Sequence, residues 1–65
     1  MKFTIEVVCT IEGGRERILH RSTVHEISPR RAKTKADQLV KIWGSRGGTL
    51  VRVLNYNGEE LYIAK

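Results

Sequence analysis

The sequence predicts an α+β fold of order ββαββ, in which one amphipathic helix packs on one face of a four-stranded sheet. Three observations indicate this fold. Apolar and polar residues alternate near both ends of the chain, a glycine-containing turn divides each alternating stretch, and a 3.6-residue apolar period occupies the middle. A chain of 65 residues has room for one domain, residues 1–65.

The first hairpin is predicted from residues 2–11, in which apolar and polar side chains alternate with period two. Gly13 and Gly14 supply a turn, because glycine tolerates the positive φ that hairpin turns need. The second strand then covers about residues 16–24. The core-facing side of this hairpin is expected to carry Phe3, Ile5, Val7, Cys9, Ile11, Ile18, His20, Ser22 and Val24.

The length of the first turn decides which side chains of the second strand face the core. With a two-residue turn, Ile18 would point toward the core and Leu19 would lie on the outer face, beside Val8. A three-residue loop would instead turn Arg17 and Arg21 inward, and burying two arginines is unfavourable. The sequence therefore favours the two-residue turn.

The helix is predicted over about residues 29–44. Ser28 can cap free backbone N–H groups, and Pro29 suits the first helical position. The glycines between 44 and 48 are available for the C-terminal cap. The apolar side chains of the segment fall within an arc of about 100° that would face the sheet, and they are Ala32, Ala36, Leu39, Val40 and Trp43.

The second hairpin is predicted over about residues 49–55 and 59–64. A two-residue turn would pair Val53 with Tyr62, whereas a three-residue loop would pair Val53 with Leu61. The longer loop is favoured because it separates an apolar face from a polar one. The apolar face would hold Val51, Val53, Leu61 and Ile63, with Arg52 and Tyr62 opposite.

The order of the strands in the sheet has two candidates. The first choice is 2-1-4-3, with the first and last strands parallel at the centre, and the alternative is the all-antiparallel order 2-1-3-4. The element order resembles that of β-grasp folds, although the resemblance is one of order alone.

Composition predicts a soluble, cytoplasmic protein. Cys9 is the only cysteine, so no disulfide can form within the chain and an oxidising compartment is not indicated. No signal peptide is expected, because no basic start leads into an apolar run with a small-residue cleavage site. No apolar run approaches the roughly 20 residues that cross a membrane, so no membrane partner is expected.

The net charge of +5 resides on the helix. Residues 28–48 hold six basic side chains and a single acid, Asp37, while basic and acidic residues balance elsewhere in the chain. A helix face that serves solubility alone usually interleaves both signs. Arg30 and Arg31 also lie in the first turn, where cations oppose the helix dipole and where free N–H groups favour anions.

This charge distribution predicts a small, non-enzymatic binding protein whose helix contacts an anionic partner, with nucleic acid as the leading candidate. A basic face that only keeps the helix solvated is the simpler interpretation. The residues predicted to bind a polyanion are Arg30, Arg31, Lys33, Thr34, Lys35, Gln38, Lys41 and Arg46.

The outer face of the sheet is the alternative candidate surface. Apolar residues there would form a large patch for so small a chain, which predicts a protein–protein contact or a homodimer. Scattered apolar side chains on a monomer would look the same. The predicted patch consists of Val8, Leu19, Leu50, Leu54 and Tyr62, with Ala64 beside them.

No catalytic, metal or cofactor site is predicted. Cys9 and His20 would be diagonal neighbours on the core face, but nothing orients the imidazole. Together with His25 they lack the close paired spacing of metal ligands. Trp43 is expected to be a core anchor, and Tyr56 and Tyr62 are weak candidates for stacking on bases.

Overall fold

The computed structural model describes residues 1–65 and confirms the ββαββ order. Strand β1 covers Lys2–Thr10 and β2 covers Glu16–His25. Helix α1 covers Pro29–Trp43 and continues as a short 3-10 turn, Gly44–Arg46. Strands β3 and β4 cover Leu50–Leu54 and Glu60–Ala64. No helix of the chain has the length and apolar character needed to cross a bilayer.

The sheet has the order β2-β1-β3-β4, and every pair is antiparallel. The first-choice order 2-1-4-3 is therefore wrong, and the alternative is the observed one. Strand β3 suits the place beside β1, because it carries apolar side chains on both faces: Val51 and Val53 are buried, and Leu50 and Leu54 are half-buried. Strand β4 begins with Glu60 and lies outermost.

The first hairpin differs from the prediction in both its turn and its register. Its loop has three residues, Glu12–Gly14, and is closed by a 2.8 Å hydrogen bond from the Ile11 N–H to the Arg15 carbonyl. Val7 pairs with His20, as it would with the predicted two-residue turn, but Val8 pairs with Ile18 and not with Leu19. Leu19 is thus the extra residue of a β-bulge.

The bulge at Leu19 explains how a three-residue loop avoids burying arginines. It shifts the register by one residue, so that Arg21 remains on the outer face opposite Glu6. Ile18, predicted to face the core, is instead 43% exposed on the outer face, and Leu19, predicted outside, packs on the core. Arg17 pairs with Cys9 and stays exposed.

The second hairpin repeats this arrangement. Its loop is the predicted three-residue one, since the Asn55 N–H donates to the Glu59 carbonyl and Leu54 pairs with Glu60. A bulge at Leu61 then shifts the register, and Val53 pairs with Tyr62. The predicted inward positions of Leu61 and Ile63 are wrong, as both are exposed. Tyr62 packs against the core, and Ala64 is buried in it.

The core lies between α1 and one face of the sheet. Ala32 and Ala36 are fully buried, and the small alanine side chains let the helix approach the strands closely. Leu39, Val40 and Trp43 pack around the margin, as predicted. The predicted cap is absent, because the Ser28 side chain makes no capping hydrogen bond. The sheet contributes Phe3, Ile5, Val7, Val51, Val53 and Ala64.

The outer face of the sheet is held together by a chain of ion pairs. Glu6, although on this uncovered face, is only 7% exposed because it lies between Arg21, at 2.7 Å, and Arg52, at 3.3 Å. Arg52 also reaches Glu16 at 3.2 Å. Glu6 lies two residues before Val8 on β1, and Glu16 pairs with Thr10, two residues after it, so the ion pairs of Arg52 span the position of Val8, which is fully buried.

Candidate functional site

The solvent-facing side of α1 carries the predicted polyanion-binding residues. On a helical wheel Arg30, Thr34, Gln38 and Lys41 share the arc opposite the core, with Arg31 beside it, and all five are exposed. Lys41 is eleven positions after Arg30, a length of about 16 Å along the helix axis. We call these five residues the basic face.

The cations of the basic face have no acidic partner. No carboxylate lies within salt-bridge distance of Arg30, Arg31 or Lys41. The exception among the helix cations is Lys35, whose Nζ lies 3.0 Å from the Glu26 carboxylate. The uncompensated charge therefore concentrates on the basic face, where an external anion would meet it first.

An open groove of about 470 Å³ runs along one side of the basic face. It is lined only by polar and charged side chains, which are Glu26, Arg30, Arg31, Thr34, Lys35 and Gln38. Because Glu26 is engaged by Lys35, the two arginines remain as the unpaired charges of the groove. Sequence reasoning missed Glu26, since only the fold brings the end of β2 beside the helix.

The polar residues of the basic face differ in what they offer a ligand. The Thr34 hydroxyl donates a 3.1 Å hydrogen bond to the Arg30 carbonyl within the helix, so its proton is already in use. The Gln38 amide makes no hydrogen bond within the chain. Of the two, Gln38 retains its full hydrogen-bonding capacity for a ligand.

Two further cations of the predicted site lie on aromatic rings at the margins of the helix. The Lys33 ammonium is 5.7 Å from the centre of the Tyr62 ring, on the β4 side. The Arg46 guanidinium is 5.6 Å from the centre of the Trp43 ring, beyond the helix end. Both are in cation–π range, which holds them away from the centre of the basic face.

The Cys9–His20 pairing considered in the sequence is replaced by an aromatic contact. The His20 ring stacks on Trp43 with centroids 5.5 Å apart and planes 21° from parallel. Cys9 is half-buried and pairs with Arg17, and His25 lies opposite Lys2. No three His, Cys, Asp or Glu side chains are grouped to hold a metal ion.

The predicted patch on the outer face of the sheet changes in membership. Leu19 and Tyr62 are on the helix side because of the two bulges, and Val8 is fully buried. Leu50 and Leu54 do lie on the outer face and are half-buried. The face gains Ile18, which is 43% exposed, and Ile63, which is 38% exposed.

A second, apolar cleft of about 330 Å³ lies at the other end of the structure from Trp43. It is bounded by the start of β1, the start of α1 and the tip of the second hairpin. Phe3 and Leu61 form apolar walls, and Tyr56 at the hairpin tip is 78% exposed. The sequence signal for this cleft was limited to an aromatic residue within a turn.

Comparison of the chain with protein-family models, with curated protein sequences and with solved structures gives no significant match. The assignment of a function therefore rests on the contacts and charges described above.

Proposed function

We propose that the protein is a small, non-enzymatic nucleic-acid-binding protein that contacts the phosphate backbone through the basic face of α1. The observation that carries the proposal is the set of exposed cations without acidic partners, Arg30, Arg31 and Lys41, on one side of one helix. The backbone of a nucleic acid is a polyanion with regularly spaced phosphates, and the arginine guanidinium can donate two parallel hydrogen bonds to one phosphate. The single reduced cysteine supports a cytoplasmic location.

The dimensions of the basic face agree with a backbone contact. Along the axis of a B-form duplex each strand has one phosphate per 3.4 Å of rise, so a length of about 16 Å spans roughly five phosphates of one strand. The three unpaired cations, with Lys33 and Lys35 at the margins, would supply about four to six contacts. Gln38 is the residue placed to reach a base edge, and one such side chain supports little sequence specificity.

A salt titration of binding to duplex DNA, duplex RNA and single strands tests the proposal. We expect the logarithm of the association constant to fall with the logarithm of salt concentration with a slope of roughly −3 to −6 between about 50 and 200 mM. The double variant Arg31→Glu/Lys41→Glu should lose most of the affinity, and the magnitude of the slope should fall by about 2.

The matched control is Arg15→Glu/Arg17→Glu, which makes the same change in net charge at exposed residues of the first hairpin that form no ion pair. This variant should keep most of the affinity. Equal losses in the two double variants would mean that net charge alone drives binding, and the basic face would then have no special role. Absence of binding at about 50 mM salt would make the basic face a solvated surface.

Self-association through the outer face of the sheet is the second candidate function. The face exposes the apolar side chains of Ile18 and Ile63, and it also carries an exposed cation, Arg21, and an exposed anion, Glu16. Because Arg21 and Glu16 are already paired within the chain, with Glu6 and Arg52, their burial between two copies in a twofold interface would leave neither charge without a partner. Sedimentation at high micromolar concentration should show a dimer that Ile18→Lys or Ile63→Lys converts to monomers; a monomeric parent protein would exclude this function.

A further inference from the structure

The apolar cleft has the composition of a site for a flat, largely apolar group. Phe3, Pro29 and Leu61 line it, and its volume of about 330 Å³ is at the lower end of the range for small-molecule pockets. Tyr56 projects at its rim with 78% of its surface exposed. An aromatic side chain that is this exposed contributes little to the core, and its ring face is free to stack on a ligand.

The turn that carries Tyr56 is held rigidly. The Asn55 side-chain oxygen accepts 2.9 Å hydrogen bonds from the N–H groups of Asn57 and Glu59, and its amide donates to the Glu59 carboxylate at 3.2 Å. Gly58 has the φ of +84° that closes the loop. An aromatic ring on a preorganised loop loses little entropy when it binds a ligand.

The charge around the cleft indicates the chemistry of that ligand. Pro29, in its wall, is followed directly by Arg30 and Arg31 of the basic face, and Lys2 at its rim forms no ion pair. A ligand that fills the cleft and contacts these cations must therefore join a flat apolar group to an anionic chain. An unpaired nucleotide has both parts, whereas in a duplex the bases are stacked and unavailable.

We infer that the cleft receives an unpaired base of a single-stranded nucleic acid whose phosphates lie on the basic face. This inference rests on the proposed function and narrows its ligand from nucleic acid in general to a single strand. Tyr56 stacks on the base, Leu61 contacts its edge above the buried Phe3, and Lys2 and Arg30 contact the adjoining phosphates. DNA and RNA share the base and the phosphate, so both sugars are compatible with the cleft.

The test compares oligonucleotides that differ only in their bases. Fluorescence anisotropy would measure the binding of a labelled oligothymidylate and of an abasic strand of equal length, which keeps the phosphates and lacks the bases. We expect the strand with bases to bind about tenfold more tightly, the effect typical of one stacked base. Oligodeoxyuridylate and oligouridylate are measured in parallel, because they carry the same base and differ only in the sugar.

Variants of Tyr56 separate the cleft from the basic face. Tyr56→Ala should bring the affinity for oligothymidylate down to that for the abasic strand, while Tyr56→Phe keeps the ring and should keep the difference. Arg31→Glu/Lys41→Glu should weaken both strands by a similar factor. Equal binding of the two strands by the parent protein would overturn the cleft inference and leave phosphate binding intact. Binding of neither strand would also overturn the cleft inference, and failure to bind duplex DNA and duplex RNA as well would overturn the proposed function itself.

Discussion

The hydroxyl of Tyr62 donates a 2.8 Å hydrogen bond to the carboxylate of Asp37. This bond joins the outermost strand β4 to the helix, and it occupies the single acid of residues 28–48. This hydrogen bond is the main cause that raises the pKa of Tyr62 above its ordinary value of 10.0, and desolvation and the negative charge of Asp37 raise it further.

The raised pKa predicts a loss of stability at alkaline pH. The folded state holds the tyrosine proton more tightly than the unfolded state, so the contribution of Tyr62 is complete below about pH 10 and is lost as pH rises through the folded-state pKa. Tyr62→Phe keeps the ring for Lys33 and removes the hydroxyl. Urea unfolding should find it less stable than the parent at neutral pH, with the difference shrinking above pH 10. A difference that is independent of pH would contradict the role of this bond.

Asp37→Asn should strengthen binding to nucleic acid. The amide oxygen can still accept the Tyr62 hydrogen bond, while the helix segment loses its single negative charge. We expect an affinity gain of about twofold at low salt, in the range measured for one exposed charge pair. Glu60→Gln makes the same charge change on exposed β4 and is the control. Equal gains in both variants would show that the position of the charge is unimportant.

Removal of the Glu6 charge should destabilise the fold. Glu6→Gln leaves Arg21 and Arg52 facing each other without their common counter-ion, and Arg52 is only 22% exposed. We expect a loss of about 1–3 kcal/mol of unfolding free energy. The exposed Glu60→Gln, which forms no ion pair, should change it by less than about 0.5 kcal/mol. Chemical denaturation of the two variants side by side is the measurement.

Gly48→Ala should destabilise the end of the helix. A Cβ at this position would lie 2.9 Å from the Trp43 Cβ and 3.0 Å from its carbonyl oxygen, and the Gly48 N–H donates to that carbonyl at 2.8 Å. The clash should cost about 1–3 kcal/mol. Gly44→Ala is the matched control: Gly44 has helical φ of −55° and open space around it, so alanine should be neutral or stabilise by up to about 1 kcal/mol. Thermal unfolding of both variants would show whether the effect is specific to position 48.

The order of elements and the buried face of the helix could be predicted because they depend on local periodicity. Ala32, Ala36 and Trp43 recur at helical spacing and meet the sheet as expected. The full register of neither hairpin could be predicted: in the first hairpin the prediction fails between the turn and the bulge, and in the second it fails beyond the bulge. Apolar residues follow one another at Ile18–Leu19 and at Leu61–Ile63, so either neighbour could be the one that faces the core. A bulge also adds one residue to a strand without any change in composition that the sequence would reveal.

The candidate site was predictable to the extent that it depends on charge. The excess of basic residues on α1 follows from counting, and the structure adds which of these residues are already in contact. Lys35 reaches Glu26, and Lys33 lies over Tyr62, through contacts between elements distant in sequence. The apolar cleft brings together Phe3, Pro29 and Leu61 from three separate elements, and no local sequence pattern indicates that these residues lie close together.

The two bulges have a consequence for the behaviour of many copies in solution. Both occur in the outermost strands, whose backbone N–H and C=O groups lack a neighbour on one side. Such strands are templates for aggregation when they are long, flat and regular. Leu19 interrupts β2 between Ile18 and His20, and Leu61 interrupts β4 next to Glu60, so neither strand offers a continuous ladder. The same two bulges that make the register hard to predict from the sequence therefore disfavour edge-to-edge pairing with the sheets of other copies.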